Sequence, residues 1–143
     1  MREQFESEGI IYLAEYVPVT RRFSGKVPGH RASGAIASYV GSLVFTSQRA
    51  VATLSSVPKV AGRTMDVRWN DPQPGAVNGE IATSGLSFEV DLAEVDPQFS
   101  GRLSLTYKVD IPEDVLTRLP SRRLSFDVPP EYVYRAVAVP PNP

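Results

Sequence analysis

Cysteine is absent from the 143-residue chain. That excludes disulfides, zinc–thiolate sites, iron–sulfur clusters and a cysteine nucleophile. There is a single histidine, His30, which removes His-rich metal sites and paired-histidine acid–base chemistry. Long apolar runs are missing too. The longest uncharged stretch, residues 32–48, has 17 residues and is interrupted by Ser33, Gly34, Ser38, Gly41, Ser42, Thr46, Ser47 and Gln48. A spanning helix needs ~20 mostly apolar residues, so this stretch fails on length and on polarity. Met1 is followed by Arg2-Glu3-Gln4-Phe5-Glu6-Ser7-Glu8, not by an apolar segment of signal-peptide type. A cytoplasmic location is expected, either free, peripheral to a membrane or within a larger assembly.

The next shortage is of acids. Residues 17–65 contain Arg21, Arg22, Lys26, Arg31, Arg49, Lys59 and Arg63 and no acidic residue, whereas residues 66–114 carry ten acids against Arg68, Arg102 and Lys108. The net charge of −1 therefore hides two territories of opposite sign. Such a division suits local attraction of anions, or basic and acidic strands facing each other in one sheet. Arginine outnumbers lysine twelve to three, which favours forked, permanently charged contacts over mobile point charges.

What is present reads as strands and turns. Valine, tyrosine and phenylalanine are frequent, and the glycines and prolines are spread along the chain; these are strand and turn residues. Leu86–Leu92, Leu103–Val109 and Leu124–Val128 alternate apolar and polar residues. A period of two with one apolar face means half-buried antiparallel strands. Further strands are expected at Gly9–Val17, residues 35–46, Ala50–Leu54, Thr64–Trp69 and Tyr132–Val139. Loops are expected at Thr20–Gly34 and Asn70–Gly75, and a hairpin connection at Asp96–Gly101. One helix is signalled at Pro112–Leu119, with Asp110 as cap, Pro112 in the first turn and Pro120 as stop. The expected fold is mainly β: one domain over residues 1–143 with flexible ends at 1–8 and 140–143. Its bent antiparallel sheet would be a partly open barrel or a sandwich of about seven to nine strands.

The residues offer little for catalysis. His30 lies in Pro28-Gly29-His30-Arg31 with no nucleophile elbow elsewhere in the chain, so a Ser–His–acid triad has no support. Glu89 and Asp91 share the polar face of a strand, as solvated positions do, and with Glu94 and Asp96 they lack the spacing of a calcium loop. No Gly-rich phosphate loop occurs. Accordingly no catalytic residue, metal site or cofactor is expected. The best candidate site is the basic segment Thr20–Arg31. Arg21, Arg22, Lys26 and Arg31, with the titratable His30, could close around phosphate or carboxylate oxygens. Nucleic acid fits less well, because the chain is acidic overall and presents neither a recognition helix nor a base-stacking motif.

Gly41-Ser42-Leu43-Val44-Phe45-Thr46-Ser47-Gln48-Arg49-Ala50-Val51-Ala52 resembles the signature hairpin of bacterial pleckstrin-homology-like and GRAM-like domains. There a short apolar strand ends in Phe-Thr or Leu-Thr, and two turn residues lead to an Arg and a second apolar strand. Lys59–Arg63 would be the next turn and Thr64–Trp69 the next strand. Glu8-Gly9-Ile10-Ile11 is similar, in changed order, to the opening before the first strand of that family. The resemblance implies a seven-stranded, strongly bent sheet with a capping helix and a binding role without catalysis. It places Arg21, Arg22, Lys26 and Arg31 in the loop where some eukaryotic relatives hold phosphoinositides. It departs from the family after the helix, where further strand candidates follow.

Two functional expectations result. One is a noncatalytic binding or scaffold module whose basic segment 21–31 meets an anionic ligand, a lipid headgroup or an acidic protein. The other is a structural subunit of a multi-copy assembly, joined by charge-complementary and strand-addition contacts. Both include a protein partner or self-association.

Overall fold

A computed structural model describes residues 5–56, 60–70 and 75–136. Eight strands follow one another as β1 (Ile10–Val27), β2 (His30–Thr46), β3 (Arg49–Ser56), β4 (Val60–Arg68), β5 (Val77–Ala82), β6 (Gly85–Asp91), β7 (Ser100–Lys108) and β8 (Arg123–Phe126). Three short helices lie wholly within the described residues: α1 (Leu92–Val95), α2 (Glu113–Arg118) and α3 (Pro130–Ala136). All strands join one antiparallel sheet in the order β4-β3-β2-β1-β7-β6-β5-β8. The sheet bends until its end strands, β4 and β8, touch. The result is a nearly closed barrel of the expected all-β class.

Alternation fills the interior. Val17, Val19 and Phe23 of β1, Leu86, Phe88 and Val90 of β6, and Leu103, Leu105 and Tyr107 of β7 are buried on the inner face. Each such apolar side chain contributes roughly 1.5–3 kcal/mol by leaving water. A second, smaller cluster of Phe5, Val44 and Val51 lies apart from this core, with Ile10 and Leu13 against it. Phe5, within the stretch expected as a flexible end, is fully buried there.

Three glycines let backbones approach. A Cβ on Gly41 would lie 2.1 Å from the Thr53 carbonyl oxygen and 2.9 Å from the Tyr107 ring. Gly25 and Gly101 pair directly across β1 and β7, and a Cβ on either would fall 2.0 Å from a carbonyl of the other strand. Glycine is the residue such contacts require.

One buried polar cluster crosses the barrel. The Tyr107 hydroxyl donates to the Thr53 carbonyl at 2.8 Å and shares a 2.6 Å hydrogen bond with Thr64 Oγ1. The Tyr132 hydroxyl donates to the Thr64 carbonyl at 2.8 Å. Strands β3, β4 and β7 and helix α3 are thereby tied at one point. Burial pushes both phenols well above the ordinary tyrosine range, so they stay neutral.

The hairpin between β2 and β3 turns at Ser47-Gln48. Thr46 Oγ1 accepts the backbone N–H groups of Gln48 (3.1 Å) and Arg49 (3.0 Å), as a Thr before a turn can. Arg49 pairs with Glu8 (2.8 Å) and Asp66 (3.1 Å), and its guanidinium lies 4.8 Å from the Phe5 ring centroid. The Arg49 hydrogen bond, with a further one donated by Thr46 Oγ1, holds the Glu8 carboxyl below its ordinary value of 4.5.

Several expectations are corrected. Residues 20–34 are not a loop but the ends of β1 and β2 joined at Pro28-Gly29. The strand expected at Tyr132–Val139 is helix α3 as far as Ala136. Tyr132, Val133 and Ala136 are buried there at helical spacing, and Pro130 and Glu131 suit the first turn; positions 137–139 lie outside the described residues. Helix α2 starts after Pro112, not after a cap at Asp110. Ile111 N–H is bound to the Thr83 carbonyl (2.9 Å), which keeps this stretch extended. The β6–β7 connection begins with α1 before Asp96. Residues 60–63 belong to β4 rather than to a turn, and 57–59 and 71–74 lie outside the described residues.

Two outcomes follow. Tyr107→Phe removes the buried hydrogen bonds to the Thr53 carbonyl and to Thr64 Oγ1 and should cost about 1–3 kcal/mol in urea denaturation. The lowered Glu8 value means that its contribution is complete above pH 4.5 and is lost as pH falls through the folded-state value. Glu8→Gln should therefore be less stable than wild type at neutral pH, and the difference should vanish in acid when urea midpoints are compared across pH.

Candidate functional site

The turn that closes the first hairpin is set by two residues. Pro28 fixes its own φ, and Gly29 has φ 85°, the pairing that a type II turn uses at its central positions. Val27 faces His30 and Lys26 faces Arg31 across the hairpin. Further back, Gly34 (φ 70°) sits in a bulge of β2, where its N–H donates to Ser24 Oγ at 2.7 Å. On its other side β1 pairs with β7 as far as Lys26↔Ser100. The basic segment is therefore a supported ribbon, not a flexible loop.

Strand geometry divides the five candidate residues. Arg22 and Lys26 are exposed on β1, four residues apart and so on one face, at a separation of about 13 Å along the strand. Arg31 is exposed and directly opposite Lys26, so it shares that face. These three cations make no ion pair among the described residues, whereas Arg49, Arg102 and Arg122 each hold a carboxylate. Two like charges directly across a strand pair repel, and an anion between them relieves that repulsion.

Arg21 and His30 leave the group. Arg21 points inward with Val19 and Phe23 and is only 7% exposed. Its Nη1 donates to the Ala136 carbonyl (3.3 Å) in the last turn of α3, while its Nε has no partner. The cation thus sits at the negative end of a helix. His30 is half-buried, and its ring stacks on Phe23 with centroids 5.5 Å apart.

One neighbour was not anticipated. Arg102 of β7 lies opposite Ser24, between the rows of Arg22 and Lys26, but it is occupied by Glu89. The alternation of β7 put Arg102 on an outer face; its β1 neighbour is set by pairing distant in sequence.

Open clefts among the described residues lie elsewhere, two of them larger than the third. A groove of about 580 Å³ over β5–β8 is lined by polar side chains including Asn78, Glu80, Glu89, Thr106 and Arg123. A cleft of about 420 Å³ at the β4–β8 seam contains Arg49, Asp66, Arg68 and Asp127. In the seam, Arg49 is already paired. No cluster of three or more metal-ligating side chains occurs among the described residues, and none of their helices is long and apolar enough to cross a membrane. The chain matches no family model, no curated protein and no solved structure in the comparisons made.

The division of the two adjacent arginines is testable. Arg21→Ala should destabilise the fold by about 1–3 kcal/mol, with Arg21→Met recovering most of the loss because the stem's volume is kept. Arg22→Ala should lie within about 0.5 kcal/mol of wild type in the same thermal or urea melts.

Proposed function

We propose that the chain is a noncatalytic binding module that uses the tip of its first hairpin to hold an anionic group of a partner. The observation that carries this reading is the trio Arg22, Lys26 and Arg31, exposed on one face and free of carboxylate partners among the described residues. The hairpin is braced by β7 and by the glycine pair Gly25–Gly101, so little order has to be gained on binding. Phosphate and carboxylate oxygens share the chemistry that forked guanidinium and ammonium groups recognise. The resemblance of residues 41–69 to pleckstrin-homology-like domains supports the same mode of action.

A second reading, a subunit of a multi-copy assembly, is favoured by a different observation: one edge of β2 carries no neighbouring strand over part of its length among the described residues.

Binding to vesicles containing phosphatidylserine and to an Asp/Glu-rich peptide tests the first reading and separates its two anion sources. Each cation near an anionic surface contributes about 1 kcal/mol, so Arg22→Ala/Lys26→Ala/Arg31→Ala should weaken binding about a hundredfold. Added salt should weaken wild-type binding in the same direction. Equal binding by wild type and triple variant, or binding by neither, defeats the reading.

A further inference from the structure

Three large hydrophobic side chains stand exposed among the described residues: Tyr16 (85%), Ile36 (58%) and Val40 (46%). All three belong to the β1–β2 hairpin, and pairing sets two of them on the face that carries the basic trio. Ile36 lies directly opposite Arg22, and Val40 directly opposite Pro18, which is itself exposed. Pro18, Arg22 and Lys26 alternate along β1 with the buried Val17, Val19, Arg21 and Phe23, so they look outward together. From base to tip the face is graded. Pro18 and Val40 are apolar, Thr20 and Ser38 carry hydroxyls, Arg22 and Ile36 are mixed, and Lys26 and Arg31 are cationic. Tyr16 marks the apolar end. It sits in the irregularity of β1 between Ala14 and Val17 with φ 56°, the one non-glycine residue of positive φ among the described residues. A tyrosine held there costs folding energy that a glycine would not, and such outliers cluster at binding and switch sites. Exposed apolar residues scattered singly need no explanation, whereas a group rimmed by polar residues marks a contact surface.

We infer that this face seats a linear segment of a partner protein, extended along the hairpin, with apolar side chains over Tyr16, Pro18 and Val40 and carboxylates over Arg22, Lys26 and Arg31. The inference rests on the anionic-partner reading and names the partner. Charge complementarity selects the acidic end, because the three cations hold no carboxylate of their own among the described residues. Length selects an extended occupant. Pro18 and Lys26 are about 26 Å apart along the strand, which a lone phosphate or carboxylate cannot span and about eight extended residues can. β1 is paired on both sides from Val19 to Lys26, so side chains grip the segment and it adds no strand there. Glu15 disfavours a bilayer as the occupant. It is exposed beside Tyr16, where a uniformly anionic surface would meet it with repulsion, while the apolar end of the segment brings no charge to it.

Two labelled peptides of equal length and composition test it on the full chain. One carries its leucines at one end and its glutamates at the other; the second alternates them. Fluorescence anisotropy should show the segregated peptide binding about tenfold more tightly, as expected for burying two partly exposed aliphatic side chains. Ile36→Ser with Val40→Ser should remove that preference while the alternating peptide's affinity and the melting temperature stay unchanged. Tyr16→Gly should weaken the segregated peptide and melt no lower than wild type, since the strained φ is relieved. Equal binding of the two peptides, a preference that survives Ile36→Ser with Val40→Ser, or full affinity in Tyr16→Gly overturns the segment and leaves the anionic reading standing. Tighter binding to phosphatidylserine vesicles than to the segregated peptide assigns the face to a bilayer and likewise overturns the segment alone. A segregated peptide that binds Arg22→Ala/Lys26→Ala/Arg31→Ala as it binds wild type, or no binding to either peptide or to vesicles, overturns both.

Discussion

The hydroxyl of Tyr107 is the point on which the barrel turns. It projects from β7, near the middle of the sheet, and reaches β3 and β4 at one end of it. A bent sheet closed only by side-chain packing has no fixed curvature. A buried, directional tie supplies it, because in an apolar interior each unmade hydrogen bond is expensive. Helix α3 joins the same cluster through Tyr132, so the cover over the core is fixed by the groups that fix the curvature. Gly41 is the other half of the arrangement, since its missing Cβ is the space the Tyr107 ring occupies.

The outer surface inherits its form from this interior. β1 is shared by β2 and β7 over its distal half, which makes the hairpin a ribbon with fixed faces. Alternation then decides which cations reach solvent. Arg21 and Arg22 are neighbours in sequence, yet one braces a helix end inside and the other belongs to a charged surface. The acid-free segment is consequently not a uniform basic patch. It contributes an exposed trio at the tip, an uncharged edge in β2 and a paired Arg49 at the far end of the hairpin.

Much of the fold was legible because period-two patterning survives wherever polar residues are short or charged on only one face, as in Leu86–Leu92 and Leu103–Val109. It failed in β1, where Arg21 stands at an inward position and breaks the apolar row between Val19 and Phe23. A cation there reads as loop until α3 is seen to supply a carbonyl for it. It failed at Tyr132–Ala136 because tyrosines two apart imitate a strand while Tyr132, Val133 and Ala136 form a helical face. β5 escaped notice because Asn78, Gly79 and Glu80 dilute its two buried residues, Val77 and Ile81. Of the candidate site, the residue types were readable and their division was not, since the face of a strand depends on register and the register on bulges that no local pattern announces.

The place of β1 in the sheet also dictates an order of events for a growing chain. Residues 19–26 find β2 almost at once through the Pro28-Gly29 turn, but their other neighbour, residues 100–107, emerges some eighty positions later. Until then the central strand is itself an edge, and its inward Arg21 waits longer still, for the helix that ends at Ala136. A chain of this topology must close a long loop before the β1–β7 pairing forms, which favours slow folding.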